Sequence, residues 1–214
     1  IESNNPNETP ASILPREREH EFNIEHFHNV WYIYTNKDAQ NFKLVSAPFE
    51  NPQEWTEIIP HREDTLLESF ELFNDFLVLE ERTNGLVQVH IMNTKTNQEH
   101  YIKFEEETYT TYLGVNYEAN TEQLRFIYTS LTTPHSVFDY NMNTFERILL
   151  KEHQVEGDFS KDHYVTKRIF ATAEDGTKVP MSMVYRKDLD LNGDNPTLLY
   201  LSLIHISEPT RLGM

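Results

Sequence analysis

FLVLEERTNGLVQVHIMNTKTNQEHYIKF, residues 76–104, decides the fold. An apolar run, Phe76 to Arg82, meets a second, Leu86 to Ile91, across Thr83-Asn84-Gly85. Asn-Gly accepts positive φ at both central positions of a tight hairpin, so the two runs are predicted to pair antiparallel. Asn93 to Asn97 forms a further turn, and Glu99 to Phe104 reads as the next strand.

The same pattern recurs on either side. Val30–Asn36 and Leu124–Ser130 match Phe76–Arg82, and the three starts lie 46 and 48 residues apart. Each is followed by a second strand, Asn41–Val45 and Pro134–Tyr140 in the flanking units, and by a third, Thr56–Ile59 and Phe145–Leu150. Glu68–Leu72 and Tyr109–Leu113 precede the first runs of their units, and Asn141–Thr144 occupies the place of Asn93–Asn97. Four short antiparallel strands per unit at a period in the forties predict the blade of a β-propeller. Leucine-rich helical segments are missing, which argues against a helical solenoid of similar period.

After residue 150 the pattern changes. Tyr164–Thr172 and Lys178–Arg186 are predicted to pair across Glu174-Asp175-Gly176-Thr177, and Leu198-Leu199-Tyr200 reads as a buried strand of an α/β-type domain. The expected layout is an irregular lead-in over 1–18, the C-terminal part of a propeller over 19–152 and the start of a second domain over 153–200.

Composition restricts the chemistry. Eighteen Lys and Arg against 35 Asp and Glu leave a formal charge of -17, which repels phosphate backbones and anionic lipid and favours cationic partners. No nucleic acid and no membrane is expected as a partner, since no apolar run approaches the ~20 residues of a membrane span. The chain has no cysteine, so neither a disulfide framework nor a thiolate metal site exists. The first residue is Ile1, and IESNNPNETPAS has neither the basic nor the apolar region of a signal peptide, although a cut at this point would leave such a signal upstream. The six glycines are nowhere closer than 17 residues apart, which excludes G-x-S-x-G, G-x-G-x-x-G and G-x-x-x-x-G-K alike.

Several residue groups resemble sites and are weighed against plainer readings. Ser202, His205 and Glu208 have the residue types of a catalytic triad but stand three apart in the tail, where a chance arrangement is the better reading. Asp188-Leu189-Asp190-Leu191-Asn192-Gly193 opens like a calcium loop, but Leu199 stands where a bidentate Glu is required, and a solvated turn is expected. Among the histidines His20, His26, His28 and His61, His26 and His28 are expected to share a strand face, with no third metal ligand assignable. Glu105-Glu106-Glu107 is expected to be a solvated charge run, and Trp31, Tyr32 and Tyr34 an aromatic stripe used in blade packing. No catalytic, cofactor or metal residue is assigned.

Three stretches carry a family resemblance: HFHNVWYIYTNKDAQNFKLVSAP (26–48), YTSLTTPHSVFDYNM (128–142) and EDGTKVPMSMVYRKD (174–188). They resemble the prolyl oligopeptidase family of serine peptidases, the YTSLTTP segment favouring its oligopeptidase B branch. The resemblance runs from about residue 19 to Tyr200. It implies a mainly β fold, about three blades of a seven-bladed propeller followed by the first strands of an α/β-hydrolase domain. It also implies cleavage of short basic peptides after Arg or Lys by acyl-enzyme chemistry, with the propeller excluding folded proteins by size. No cofactor is implied. A cytoplasmic location is expected, with the periplasm as the alternative.

The family continues after Tyr200 into a glycine-tyrosine-glycine segment, whereas Leu201 to Arg211 looks like the conceptual translation of a transposase-type sequencing adapter. Residues 201–214 are therefore read as foreign. Earlier blades are expected before Ile1 and the Ser-Asp-His triad beyond Tyr200, which makes the chain as written inactive. The alternative function is a non-catalytic propeller that binds a partner, although the W-D and G-H signatures of such repeats are absent. Open blade faces predict marginal stability and association.

Overall fold

The computed structural model describes residues 7, 12 and 14–200. The adapter-like tail, with Ser202, His205 and Glu208, lies outside them. Three four-stranded antiparallel sheets follow one another along the chain, each with its strands in sequence order. The first holds β1 (Phe22–Phe27), β2 (Val30–Thr35), β3 (Lys43–Pro48) and β4 (Thr56–Ile59). The second holds β5 (Thr65–Leu72), β6 (Phe76–Thr83), β7 (Leu86–Asn93) and β8 (Glu99–Tyr101). The third holds β9 (Tyr109–Leu113), β10 (Gln123–Ser130), β11 (Ser136–Asn141) and β12 (Arg147–Glu152). This is the partial propeller of the sequence reading, three blades in a mainly β chain.

Period-two alternation assigns the two faces of the second sheet. Leu77 and Leu79 turn toward the first sheet and pack with Leu67, Phe70, Leu44 and Ile59. Phe76 and Val78 turn the other way and join Val89, Ile91, Leu124, Phe126 and Tyr140 against the third. A strand buried on both faces reads as a continuous apolar run, which is why Phe76-Leu77-Val78-Leu79 was so legible.

The turns repeat as closely as the strands. Asn93 Oδ1 accepts the amides of Lys95 and Thr96, and Asn141 Oδ1 accepts those of Asn143 and Thr144. Each turn ends on a left-handed residue, Asn97 at φ 57° and Phe145 at φ 66°. Asn84 and Gly85, at φ 51° and 77°, make the two-residue hairpin read from Asn-Gly.

Several boundaries and one strand differ from expectation: β5 starts at Thr65 rather than Glu68, and β11 at Ser136 rather than Pro134. β3 starts at Lys43 rather than Asn41, because the Asn41 backbone carbonyl accepts the Leu67 N–H at 3.1 Å and Phe42 is left-handed at φ 60°. β8 stops at Tyr101, where the chain leaves to cross to the third sheet, and β12 runs Arg147–Glu152 rather than from Phe145. Residues 197–200 form no strand, and Leu198 is 90% exposed, since no described strand edge lies alongside to pair with them. A 3-10 turn at Lys161–His163 precedes β13 (Tyr164–Thr172) and β14 (Lys178–Arg186), which pair only with each other. No helix of the described residues is long and apolar enough to cross a membrane.

Candidate functional site

The densest polar construction sits where the chain passes from β8 to β9. Glu106, the middle of the acidic run, accepts hydroxyl hydrogen bonds from Tyr128 (2.6 Å), Ser130 (2.7 Å), Thr132 and Thr133 (2.8 Å). Burial alone raises a carboxyl pKa, but the four hydroxyls outweigh it and hold Glu106 below the ordinary value. The same bond works in reverse on the Tyr128 phenol, which burial and then Glu106 push upward. The charge run is therefore corrected: Glu105 is exposed, but Glu106 is half-buried in a hydroxyl cradle and Glu107 accepts the backbone N–H of Arg168 at 3.1 Å. Like charges adjacent in sequence are separated by different partners. The YTSLTT segment, Tyr128–Thr133, is the cradle itself, with four of its five hydroxyls gathered on one carboxylate and that of Thr129 on the Thr133 carbonyl.

Beside the cradle opens a cleft of about 250 Å³, lined by Phe104, Glu106, Tyr128, Arg147, Lys161 and Asp162. The Arg147 guanidinium lies 5.9 Å from the Phe104 ring centre and 5.2 Å from that of Phe138, a cation over aromatic faces. The cleft thus offers both signs of charge around an aromatic wall.

Two further carboxylates have displaced titrations. Glu81 is 1% exposed and faces Arg62, His90 (3.3 Å) and the Tyr101 hydroxyl (2.8 Å). Burial pushes its carboxyl up, yet hydrogen bonds from His90, Arg62 and Tyr101 overcome this and bring it to about 2. Glu71 behaves oppositely. Burial, then the charges of Glu25 on β1 and Glu80 on β6, push it to about 7 against a single opposing bond from Asn116. Strand periodicity gave no sign of either role, because a polar residue at a strand end reads as solvated until its partners on other elements are known.

The groups weighed from sequence fall apart in space. β1 ends at Phe27, and His28 and Asn29 occupy the turn at φ 49° and 60°, so His26 and His28 do not share a strand face. His26 lies against Trp31 and Phe49, and His28 bonds the Asn74 side chain at 3.0 Å. His20 bonds Thr35 at 2.7 Å, and among the described residues no group of three or more ligating side chains gathers. Asp188 pairs with Arg186 at 2.9 Å, as a turn residue does. The aromatic stripe packs blades but on two faces: Trp31 stacks on Phe49, whereas Tyr34 stacks on Phe42 and reaches the Leu67 carbonyl of the next sheet at 2.8 Å.

Comparison with known proteins agrees with this architecture. Dipeptidyl aminopeptidase BI of Pseudoxanthomonas mexicana is 40% identical over 192 residues, which cover 88% of this chain and 26% of that protein. Protease 2 of Moraxella lacunata is 29% identical over 84% of this chain and 26% of its own length. The structure of oligopeptidase B from Trypanosoma brucei, closed with covalently bound antipain, superposes with a TM-score of 0.77 at 32% identity, covering 86% of this chain and 28% of that one. The chain thus spans about a quarter of the length of the relatives it matches. The family model of the prolyl oligopeptidase N-terminal β-propeller domain matches residues 1–153, and the chain belongs to the prolyl oligopeptidase family of peptidases.

Proposed function

We propose that the complete protein is a serine peptidase that hydrolyses short peptides after Arg or Lys, with the propeller admitting substrates by size. The likeness to oligopeptidase B at 32% identity over 86% of the chain carries this reading. The formal charge of -17 supplies a negative field suited to cationic peptides. On this reading residues 153–200 open an α/β-hydrolase domain, and the nucleophile, its histidine and its aspartate belong to that domain beyond residue 200. Residues 1–200 then contribute access and field, not bond-breaking. Rigid antiparallel blades oppose the passage of a folded chain, whereas an extended peptide needs only its own width.

A second reading follows from the 40% identity to dipeptidyl aminopeptidase BI: release of dipeptides from a free N-terminus. The two readings differ in whether the substrate amine must be free. Kinetics of the complete protein on an N-terminally blocked Arg nitroanilide and on a free-amine dipeptidyl nitroanilide separate them. A kcat/KM at least ~100-fold higher for the blocked Arg substrate than for its Ala counterpart is expected, about what removing one partner of a buried charge pair costs. Turnover of the free-amine substrate alone would replace the first reading with the second, and turnover of neither would remove both.

A further inference from the structure

The side chains of β8 alternate between two neighbours. Glu99 reaches back to His90 at 3.4 Å and Tyr101 bonds Glu81 at 2.8 Å, whereas His100, cross-strand from Ile91, turns to the third sheet. There its Nε2 lies 3.0 Å from Tyr140 Oη, and its ring meets Phe145 edge-on with centres 4.3 Å apart. Phe145 holds an unusual backbone at this contact. The Asn93 and Asn141 turns are built alike, but the first ends on Asn97, a residue suited to the left-handed region, and the second on Phe145 at φ 66°, where a bulky side chain is disfavoured. What the position gains is the contact of its ring with His100 of the preceding sheet.

Only a neutral ring completes this contact. Tyr140 is 5% exposed, and burial pushes its phenol up against the opposing charge of Arg147, so the hydroxyl keeps its proton and needs an acceptor. The Nε2 lone pair of a neutral imidazole accepts it. An imidazolium carries donors on both nitrogens and leaves the Tyr140 proton without a partner. The surrounding charges favour the same state. His90 on β7 and Arg147 on β12 are both basic, while the carboxylates of Glu81 and Glu99 turn to His90 on the other face of the sheet. Burial, and then the charge of His90, hold the His100 imidazole below the ordinary 6.5.

We propose that the contact of His100 with Tyr140 and Phe145 is an acid-released clasp between the second and third sheets, closed while the ring is neutral and opened by its protonation. Because the folded state disfavours the proton, the contribution of the clasp is complete above 6.5 and is lost as pH falls below it. Every group of the clasp lies on two adjacent four-stranded sheets that this chain supplies whole, or on the turn between their strands. The device uses no catalytic group and does not depend on the peptide specificity proposed above.

Hydrogen exchange on the complete protein at pH 7.5 and pH 5.5, corrected for intrinsic rates, tests the clasp. The Ile102 amide, which bonds the Val89 carbonyl beside β8, and the Asn141 and Phe145 amides of the facing turn are expected to lose about tenfold in protection at the lower pH. Val78 and Leu79 inside β6 are expected to keep theirs. His100→Gln offers Tyr140 a carboxamide oxygen at either pH, and is expected to keep the protection of these amides at pH 7.5 and to abolish its loss at pH 5.5. Equal protection at the two pH values in the unsubstituted protein would overturn the proposal. So would a loss that survives His100→Gln, or one that spreads equally to Val78 and Leu79, since that is general loosening in acid. Should His100→Gln fail to fold, Tyr140→Phe removes the hydroxyl that only the neutral ring accepts. It is expected to shrink the tenfold loss to about threefold or less, and an undiminished loss would overturn the clasp.

Discussion

At the scale of single residues, the two displaced carboxylates impose opposite pH dependences. Glu81 has a folded pKa of about 2 against an ordinary 4.5, so its contribution is complete above the ordinary value and is lost as pH falls from 4.5 toward 2. Glu81→Gln is expected to lower unfolding stability by about 2 kcal/mol at pH 7, through loss of a buried charge-assisted network, with the gap closing below pH ~4. Glu71 is raised to about 7, so its folded form favours the proton and its contribution, full below 4.5, is lost as pH rises through 7. Glu71→Gln is expected to stabilise by about 1 kcal/mol at pH 8, after discounting for solvent screening, and to be neutral at pH 4. Urea midpoints across this range check both signs. Neither role was legible in the sequence: Glu81 meets Arg62 at a separation of 19 residues and Tyr101 at 20, distances over which strand periodicity carries no information.

At the scale of elements, the blades were legible because their signals are local. Alternation fixes a strand's faces within a few residues, and Asn-Gly fixes a hairpin within two. The connection between β8 and β9 was not legible, since Glu105-Glu106-Glu107 has the composition of a solvated loop and its central member is the anchor of the third sheet. Hydrogen bonds to a charged group contribute about 1.5 kcal/mol or more each. Thr132→Val with Thr133→Val is therefore expected to cost about 3 kcal/mol in thermal unfolding. A loss below ~1 kcal/mol would mean that water replaces the missing donors.

At the scale of the whole molecule, the open faces of the blades govern behaviour in solution. β12 is exposed along its length, with Ile148, Leu149 and Leu150 at 51%, 49% and 47%, and Phe145 beside them at 59%. An edge strand with this composition pairs readily with other chains, because its unpaired backbone and its apolar side chains are satisfied together. The 214-residue chain is expected to self-associate in sedimentation velocity, and Leu149→Glu to shift it toward monomer. For the complete protein, the negative field proposed to draw in basic peptides is expected to make kcat/KM fall with ionic strength, and a flat profile would count against steering.

The sequence by itself determined the number of blades, the order of their strands, the placement of their turns and the β13–β14 hairpin. All of these follow from alternation and from left-handed turn residues acting over fewer than about ten positions. Only the tertiary structure decided where the polar residues go. Thr108 meets Ser182 across 74 residues and Arg168 meets Asn84 across 84, and the residue types involved are those of any solvated surface. A hydroxyl or a carboxylate carries no mark of its partner until the packed sheets exclude water and leave it one place to bond.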